Sequence, residues 1–261
     1  MGVIDMQNLA KTVSIPKENL CICGSGKNFG DCCSHKNHTY ESLLIDETGA
    51  TIVYDQSEIL NLVKSLNSFI EARVNNIATK LSAEEALRKL KKLYQKFGEA
   101  LKPISNSTSC KAGCSHCCNL LVLTSQLEAE LINQYITTHF SQIEIEEFKS
   151  KMEKHKELLK SILPLKDGSF SKESTQAYLS SNISCAFLDS NNCCSIYEAR
   201  PFICRKYLVF NSPELCKNPF SKTNQYYAGY HTTVKDTIIK LNQLTYGHDY
   251  KYKHLLNWFI E

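Results

Sequence analysis

Twelve of the thirteen cysteines in this 261-residue chain fall into two groups. The first is Cys21-Ile-Cys23 followed by Cys32-Cys33. The second begins with Cys110, Cys114, Cys117 and Cys118 and continues with Cys185, Cys194, Cys204 and Cys216. Thiolates at such spacings converge on soft metal centres, because zinc and iron–sulfur clusters both take sulfur ligands in fours. A disulfide framework is the competing use. The odd count and the vicinal pairs Cys32-Cys33, Cys117-Cys118 and Cys193-Cys194 argue against it, since neighbouring cysteines strain normal disulfide geometry. The start, Met1-Gly-Val-Ile-Asp-Met6, lacks a basic region followed by an apolar stretch. A reducing, cytoplasmic setting of bacterial type is expected.

In the first group, four thiolates flank the loop 24–31. Gly24-Ser25-Gly26 lets the backbone fold tightly round an ion and turn N–H groups toward sulfur, and Lys27 offsets the negative charge of a four-thiolate zinc. A knot this short buries no core and needs a metal to be ordered. Gly-Ser-Gly-Lys is not a phosphate loop. That motif needs a glycine where Cys21 stands and Ser or Thr where Asn28 stands.

Cys21, Cys23, Gly24, Ser25, Gly26, Lys27, Phe29, Cys32 and Cys33 together resemble the SEC-C motif, the small zinc-binding module at the end of the SecA translocation ATPase. The resemblance implies a structural zinc on Cys21, Cys23, Cys32 and Cys33, and an adaptor role toward a protein partner. His35 is a substitute ligand or, more simply, a surface histidine.

The second group is richer. Spacing suggests Cys110, Cys114, Cys117 and Cys118 as one ligand cluster and Cys185, Cys194, Cys204 and Cys216 as another. Eight thiolates can hold two zinc ions, a [4Fe-4S] cluster plus a zinc, or one cluster with spare redox thiols, and spacing leaves these open. Arg200 and Arg205 stand close enough in sequence to offset thiolate charge, and Glu198 can pair with either. Cys193 is an extra thiol. Cys110-x3-Cys114-x2-Cys117 also has the spacing of a radical-SAM cluster, but no alternation of strands and helices follows it.

The stretch 105–230 resembles the YkgJ-type CxxCxxCC family, described as zinc- or iron-chelating. Cys185-Ala-Phe-Leu and Cys194-Ser-Ile-Tyr-Glu-Ala-Arg-Pro-Phe-Ile-Cys204-Arg carry the likeness, with Cys216 downstream. Its first spacing, Cys110 to Cys114, is one residue longer than the family pattern. The resemblance implies metal chelation. The same pattern occurs in flagellin-lysine N-methylases, which implies an alternative: an iron–sulfur enzyme for SAM-linked protein modification. A purely zinc-stapled interaction module is the third reading. No catalytic set of Ser, His, Asp or Cys stands out, and His231 and His248 are expected to pack or face solvent.

The elements that must position these cysteines are mainly helical. Residues 43–54 predict a hairpin through Glu47-Thr-Gly-Ala. Ile59, Leu62, Val63, Leu66, Phe69, Ile70, Val74 and Ile77 repeat with the helical period. Ser82 and Glu85 read as a capping box for a second helix ending at Pro103, antiparallel to the first. Cys110–Cys118 is a loop. Thr124 or Ser125, with Glu128, caps a third helix. A fourth runs from Ile143 to Leu163, stopping at Pro164, its Lys/Glu face solvated. Residues 165–182 read as a polar mobile loop, Cys185–Ile196 as a tight hairpin, and Pro201 as the start of a short helix bearing Cys204. Helices near 226–243 and 250–260 finish the chain. The expected fold is mainly α: a zinc-binding module (1–40), a helical hairpin region (41–104) and a Cys-rich metal-binding domain (105–261).

A net charge of +3 gives no reason to expect nucleic acid, and no apolar run is long enough for a bilayer. The sequence does not set the oligomeric state.

Overall fold

The computed structural model describes residues 11–46, 48–111, 113–161, 170–181, 183–218, 221 and 223–260. It is mainly α, with seven α-helices among the described residues. Strands β1 (Lys11–Thr12), β2 (Tyr40–Ile45) and β3 (Thr51–Asp55) form an antiparallel sheet in that order. The expected hairpin is present. Asp46 Oδ1 accepts Thr48 N and Ala50 N at 2.8 and 3.0 Å, and Gly49 takes the positive φ of 85° that the turn requires.

Asp55 ends β3 and caps α1 (Gln56–Ile70) by accepting Glu58 N at 2.8 Å. The helix widens into a π turn, Glu71–Asn75. Ser82 then caps α2 (Ala83–Ser105) through Glu85 N at 3.2 Å. The Glu85 carboxylate pairs forward with Lys89 at 3.5 Å. The two helices pack antiparallel, with Lys96 Nζ reaching Ser65 Oγ at 2.8 Å. Leu66, Ile70 and Val74 meet the buried stripe of Leu90, Leu93, Tyr94 and Phe97 in one core. Truncating Phe97, which is fully buried, to Ala would cost about 3–5 kcal/mol. Pro103 does not end α2 as expected: the helix runs on to Ser105. Proline removes one intrahelical hydrogen bond, and burial of Ala100, Leu101 and Ile104 in the same turns holds the helix regardless.

Strand β4 (Leu123–Ser125) leads into α3 (Gln126–His139), and α4 (Gln142–Ser161) follows. The expected stop at Pro164 lies outside the described residues. The expected loop at 165–182 contains helix α5 (Lys172–Ser180), a correction for the part that is described. Ser171 caps it through Ser174 N at 3.0 Å, and Tyr178 buries its ring. The 185–196 turn closes through a single bridge, Leu188 to Cys194, with Asn192 at φ 59°. Pro201 precedes α6 (Phe202–Lys206), and α7 (Gly229–Tyr246) crosses the core.

The helix expected at 250–260 is instead strand β5 (Tyr252–His254) and a 3-10 turn, Leu255–Trp258. β5 pairs antiparallel with β4, Leu123 opposite His254. Leu255 N donates to Val122 O at 2.8 Å and Trp258 Nε1 to Thr124 O at 3.1 Å. This extended partner outweighs helix propensity in so short a stretch.

One continuous apolar core runs from Leu43 to Leu256. A small second cluster holds Cys21, Phe29, Cys33 and Tyr40. Among the described residues no helix is long and apolar enough to cross a membrane.

Candidate metal centres

The N-terminal knot is built by short-range hydrogen bonds. Cys21 N donates to Lys27 O at 2.8 Å, Gly24 N to Cys21 O at 3.2 Å, and Phe29 N to Asn19 O at 2.7 Å. Gly24 and Gly26 both have positive φ, near 75°. These turns bring Cys21, Cys23, Cys32 and Cys33 together, with all four sulfurs within 4.8 Å of one another. Cys23 Sγ lies 3.5 Å from Cys32 Sγ, which lies 3.8 Å from Cys33 Sγ. A tetrahedral zinc with bonds of about 2.3 Å has sulfur–sulfur edges of about 3.8 Å, so this set fits zinc.

Its thiols are not equivalent. Cys23 is exposed, and hydrogen bonding, chiefly to Ser25, draws it down to about 6. Burial pushes Cys33 up to about 12. His35 is exposed on the turn Ser34–Lys36 and does not join the cluster. The knot rests on the rest of the molecule at two points. Tyr40 Oη donates to Cys33 O at 3.2 Å, and Asn106 Nδ2, just past α2, donates to Cys23 O at 3.1 Å. Gly24 is required there by its φ of 78° and not by space, since a Cβ would only touch Asn106 Nδ2 at 3.5 Å.

Sequence reasoning missed a second grouping, His38, Asp55 and Glu58, with one ligand atom of each within 4.8 Å of the others. His38 Nδ1 and Asp55 Oδ2 lie 2.7 Å apart, and the other Asp55 oxygen caps α1. Both Asp55 oxygens are thus engaged in tying the exit of the knot to α1. An Asp immediately before a helical run was the available signal.

The larger set is assembled from distant segments. Ser109 N donates to Val209 O at 2.8 Å, placing Cys110 beside the 207–210 strand-like segment. Cys110 Sγ lies 4.0 Å from Tyr207 O. Cys117 and Cys118 ride a 3-10 turn, His116–Asn119. Cys185 N donates to Cys118 O at 2.9 Å. Ser195 N donates to Phe187 O at 2.8 Å, folding Cys194 back toward Cys185. Cys204 sits on α6. Cys216 sits on a 3-10 turn, Pro213–Lys217, that packs on the turn carrying Cys117. The Lys/Glu face of α4 is largely exposed, as expected, and two half-buried side chains at its edge contribute here: Lys151 Nζ holds Leu188 O at 2.5 Å and His155 Nε2 meets Ser184 O at 2.9 Å.

All eight thiols are half-buried. Among the described residues no three of them come within the 4.8 Å seen in the knot. They are gathered into one region without reaching mutual contact as a set. A hydrogen bond from the Cys118 thiol, aided by the Arg200 charge, draws Cys117 down to about 7 and pushes Cys118 well up. Burial, reinforced by neighbouring thiolates, pushes Cys185 up to about 12, Cys216 up to about 11 and Cys204 well above its ordinary value. Cys193 stands apart, its Sγ 3.8 Å from Asn191 O within its own turn.

Two arginines frame this region differently. Arg205 lies flat over the Tyr94 ring at 4.3 Å and donates to the backbone carbonyls of Arg200 (2.7 Å) and Glu198. Arg200 stacks on Tyr197 at 4.0 Å, and its charge favours the thiolates of Cys110, Cys117, Cys194 and Cys204. Its Nε is buried without a hydrogen-bond partner. A buried donor beside sulfur ligands fits a metal-bound thiolate, which accepts such bonds. The Glu198 carboxylate forms no ion pair with either arginine among the described residues.

Glu128 positions Cys204, a role sequence reading did not see. One carboxylate oxygen closes the α3 capping box on Ser125, at 3.0 Å to N and 2.8 Å to Oγ. The other accepts Tyr94 Oη at 2.5 Å and Phe202 N at 2.9 Å. One buried carboxyl group therefore fixes the starts of α3 and α6. The N3 position of Glu128 was visible as a cap, but its second oxygen was not.

Residues 19–34 match the family model of the SEC-C motif. Residues 109–227 match the CxxCxxCC model, described as "Putative zinc- or iron-chelating domain", in that order along the chain. The matched stretches contain all four cysteines of the knot and all eight of the larger set. No curated protein and no solved structure matches the chain.

Proposed function

We propose that this chain, carrying a SEC-C motif ahead of a CxxCxxCC domain, is a metal-binding protein with two unlike metal parts. Cys21, Cys23, Cys32 and Cys33 hold a structural zinc. Cys110, Cys114, Cys117, Cys118, Cys185, Cys194, Cys204 and Cys216 hold zinc or iron, the iron as a [4Fe-4S] cluster. The observation that carries this reading is the convergence of eight thiols from five segments beside a buried arginine donor that lacks a protein partner. Bound metal supplies thiolate cross-links between those segments. The protein's own groups orient them: Glu128 sets α6, Lys151 holds the 185–194 turn, and Arg200 offers charge and an N–H to sulfur. The zinc knot serves as an adaptor for a protein partner in a cytoplasmic setting, its exposed face carrying Cys23.

Anaerobic purification with metal analysis and a visible spectrum tests this. Zinc alone, with no colour, supports a zinc-stapled binding protein. A brown protein absorbing near 400 nm, with about four irons per chain, supports the cluster and makes SAM-linked protein modification the leading activity to assay. Metal confined to the knot sinks the reading of the larger set.

A further inference from the structure

The eight thiols are strung along the sequence as two blocks of four, but the fold does not keep them in those blocks. The turn bearing Cys216 packs on the turn bearing Cys117. A cavity of about 20 Å³, room for one water, is lined by both of these cysteines together with His116, Tyr207, Asn218 and Thr223. Cys110 Sγ faces Tyr207 O at 4.0 Å, on the same side. The Cys118 thiol meets that of Cys117, but its backbone is tied elsewhere. Its carbonyl is held by Cys185 N at 2.9 Å, and the Leu188–Cys194 bridge brings Cys194 to the same place. Cys114 N donates to Lys111 O at 3.1 Å, which keeps it in the turn beside Cys110, whereas Cys204 rides α6, which packs on β4, the strand that follows Cys118. Successive residues on a 3-10 turn are rotated by about 120°, which allows Cys117 and Cys118 to serve different centres.

We infer that the eight thiolates are interleaved. Cys110, Cys114, Cys117 and Cys216 form one metal site, and Cys118, Cys185, Cys194 and Cys204 form the other. The vicinal pair is the partition between them, so the two sites lie back to back. In the knot, by contrast, the vicinal pair Cys32-Cys33 lies within a single group. This inference rests on the proposal that the larger set binds metal.

Two double variants distinguish interleaving from grouping in sequence order, read as zinc and iron per chain by mass spectrometry on the full-length protein. With interleaving, Cys110→Ser with Cys216→Ser damages one site and leaves the metal of the other. Cys194→Ser with Cys216→Ser damages both and leaves only the metal of the knot. The opposite pattern overturns the interleaving. A wild-type chain with metal in the knot alone overturns the underlying proposal instead, and the two failures are thus distinct.

Because a variant that fails to fold would lose all metal, the wild type is examined in parallel. Stepwise chelation with thiol alkylation and peptide mapping is expected to release the cysteines in two sets of four with the membership given above. Release of Cys117 together with Cys118, or of all eight at once, would overturn it.

Discussion

The knot and the larger centre solve the same problem at different ranges. In the knot, thirteen residues bring four sulfurs within 4.8 Å, using turns closed by local backbone hydrogen bonds. In the larger centre, eight sulfurs from residues 110 to 216 share a region but not a coordination sphere. Their positions are set by α2, α3, α4, the β4–β5 pair and one buried carboxylate. A local site is therefore preformed by backbone conformation, and a long-range site is only as well formed as the packing behind it. On the proposed reading, metal at the first would order a small cluster of Cys21, Phe29, Cys33 and Tyr40, and metal at the second would tie together segments of the main core.

The largest expected effect separates the two regions directly. Cys204→Ser should cost several kcal/mol of global stability by removing a cross-link in the main core, seen as a lower urea midpoint. Cys32→Ser with Cys33→Ser should remove the metal of the knot yet leave the helical far-UV signal unchanged. If the knot variant proves the more damaging of the two, the contrast fails.

Next comes the carboxylate. Glu128→Ala should cost about 3 kcal/mol, since it takes the carboxylate from the buried Ser125 N–H, leaves Phe202 N only its 3.1 Å bond to Tyr94 Oη and removes half of a capping box. Metal should be lost from the larger centre while the knot keeps its own.

A smaller effect is pH-dependent. His254, on β5, is 2% exposed, and burial draws it down to about 3. Its folded value lies below the unfolded one, so the neutral ring favours the fold. That contribution is complete above pH 6.5 and is lost as pH falls from there toward 3. Between pH 7 and pH 5 the wild type should lose about 2 kcal/mol more than His254→Gln, measured by denaturant unfolding at each pH. Equal slopes would remove this histidine from the account.

The smallest effect probes the seam. Asn106→Ala should cost about 1 kcal/mol or less and raise amide exchange within residues 19–34, leaving α2 and α7 protected. Unchanged exchange in the knot would mean that the two regions are independent.

Much of what depended on neighbours in sequence was legible in advance. The periods of α1 and α2, the caps at Ser82 and Ser125, the hairpin at Asp46 and the clustering of the four cysteines of the knot all rest on residues a few positions apart. What stayed hidden needed distant partners. β4 and β5 are three residues each and exist because Leu123 meets His254 across the fold. Glu128 gains its second role from Tyr94, 34 residues earlier, and Phe202, 74 residues later. α5 was masked by serines read as loop composition, although Ser171 was acting as a cap and Tyr178 as an anchor. Pro103 was read as a stop because its local penalty is plain and the burial that outweighs it is not.

The pairing of β4 with β5 also has a consequence in time. A ribosome releases Cys21 to Cys33 almost together, so the knot could take up the proposed zinc while most of the chain is still unmade. The larger centre must wait for Tyr252–His254 to emerge and clamp the strand that leads from Cys118 into α3. At about 5–20 residues per second that delay is roughly 10–45 seconds. Throughout it, as many as eight thiols are exposed and uncommitted, open to oxidation or to the wrong ion. If the larger set binds metal as proposed, its loading is accordingly a late event in the life of each molecule, one that follows the synthesis of β5.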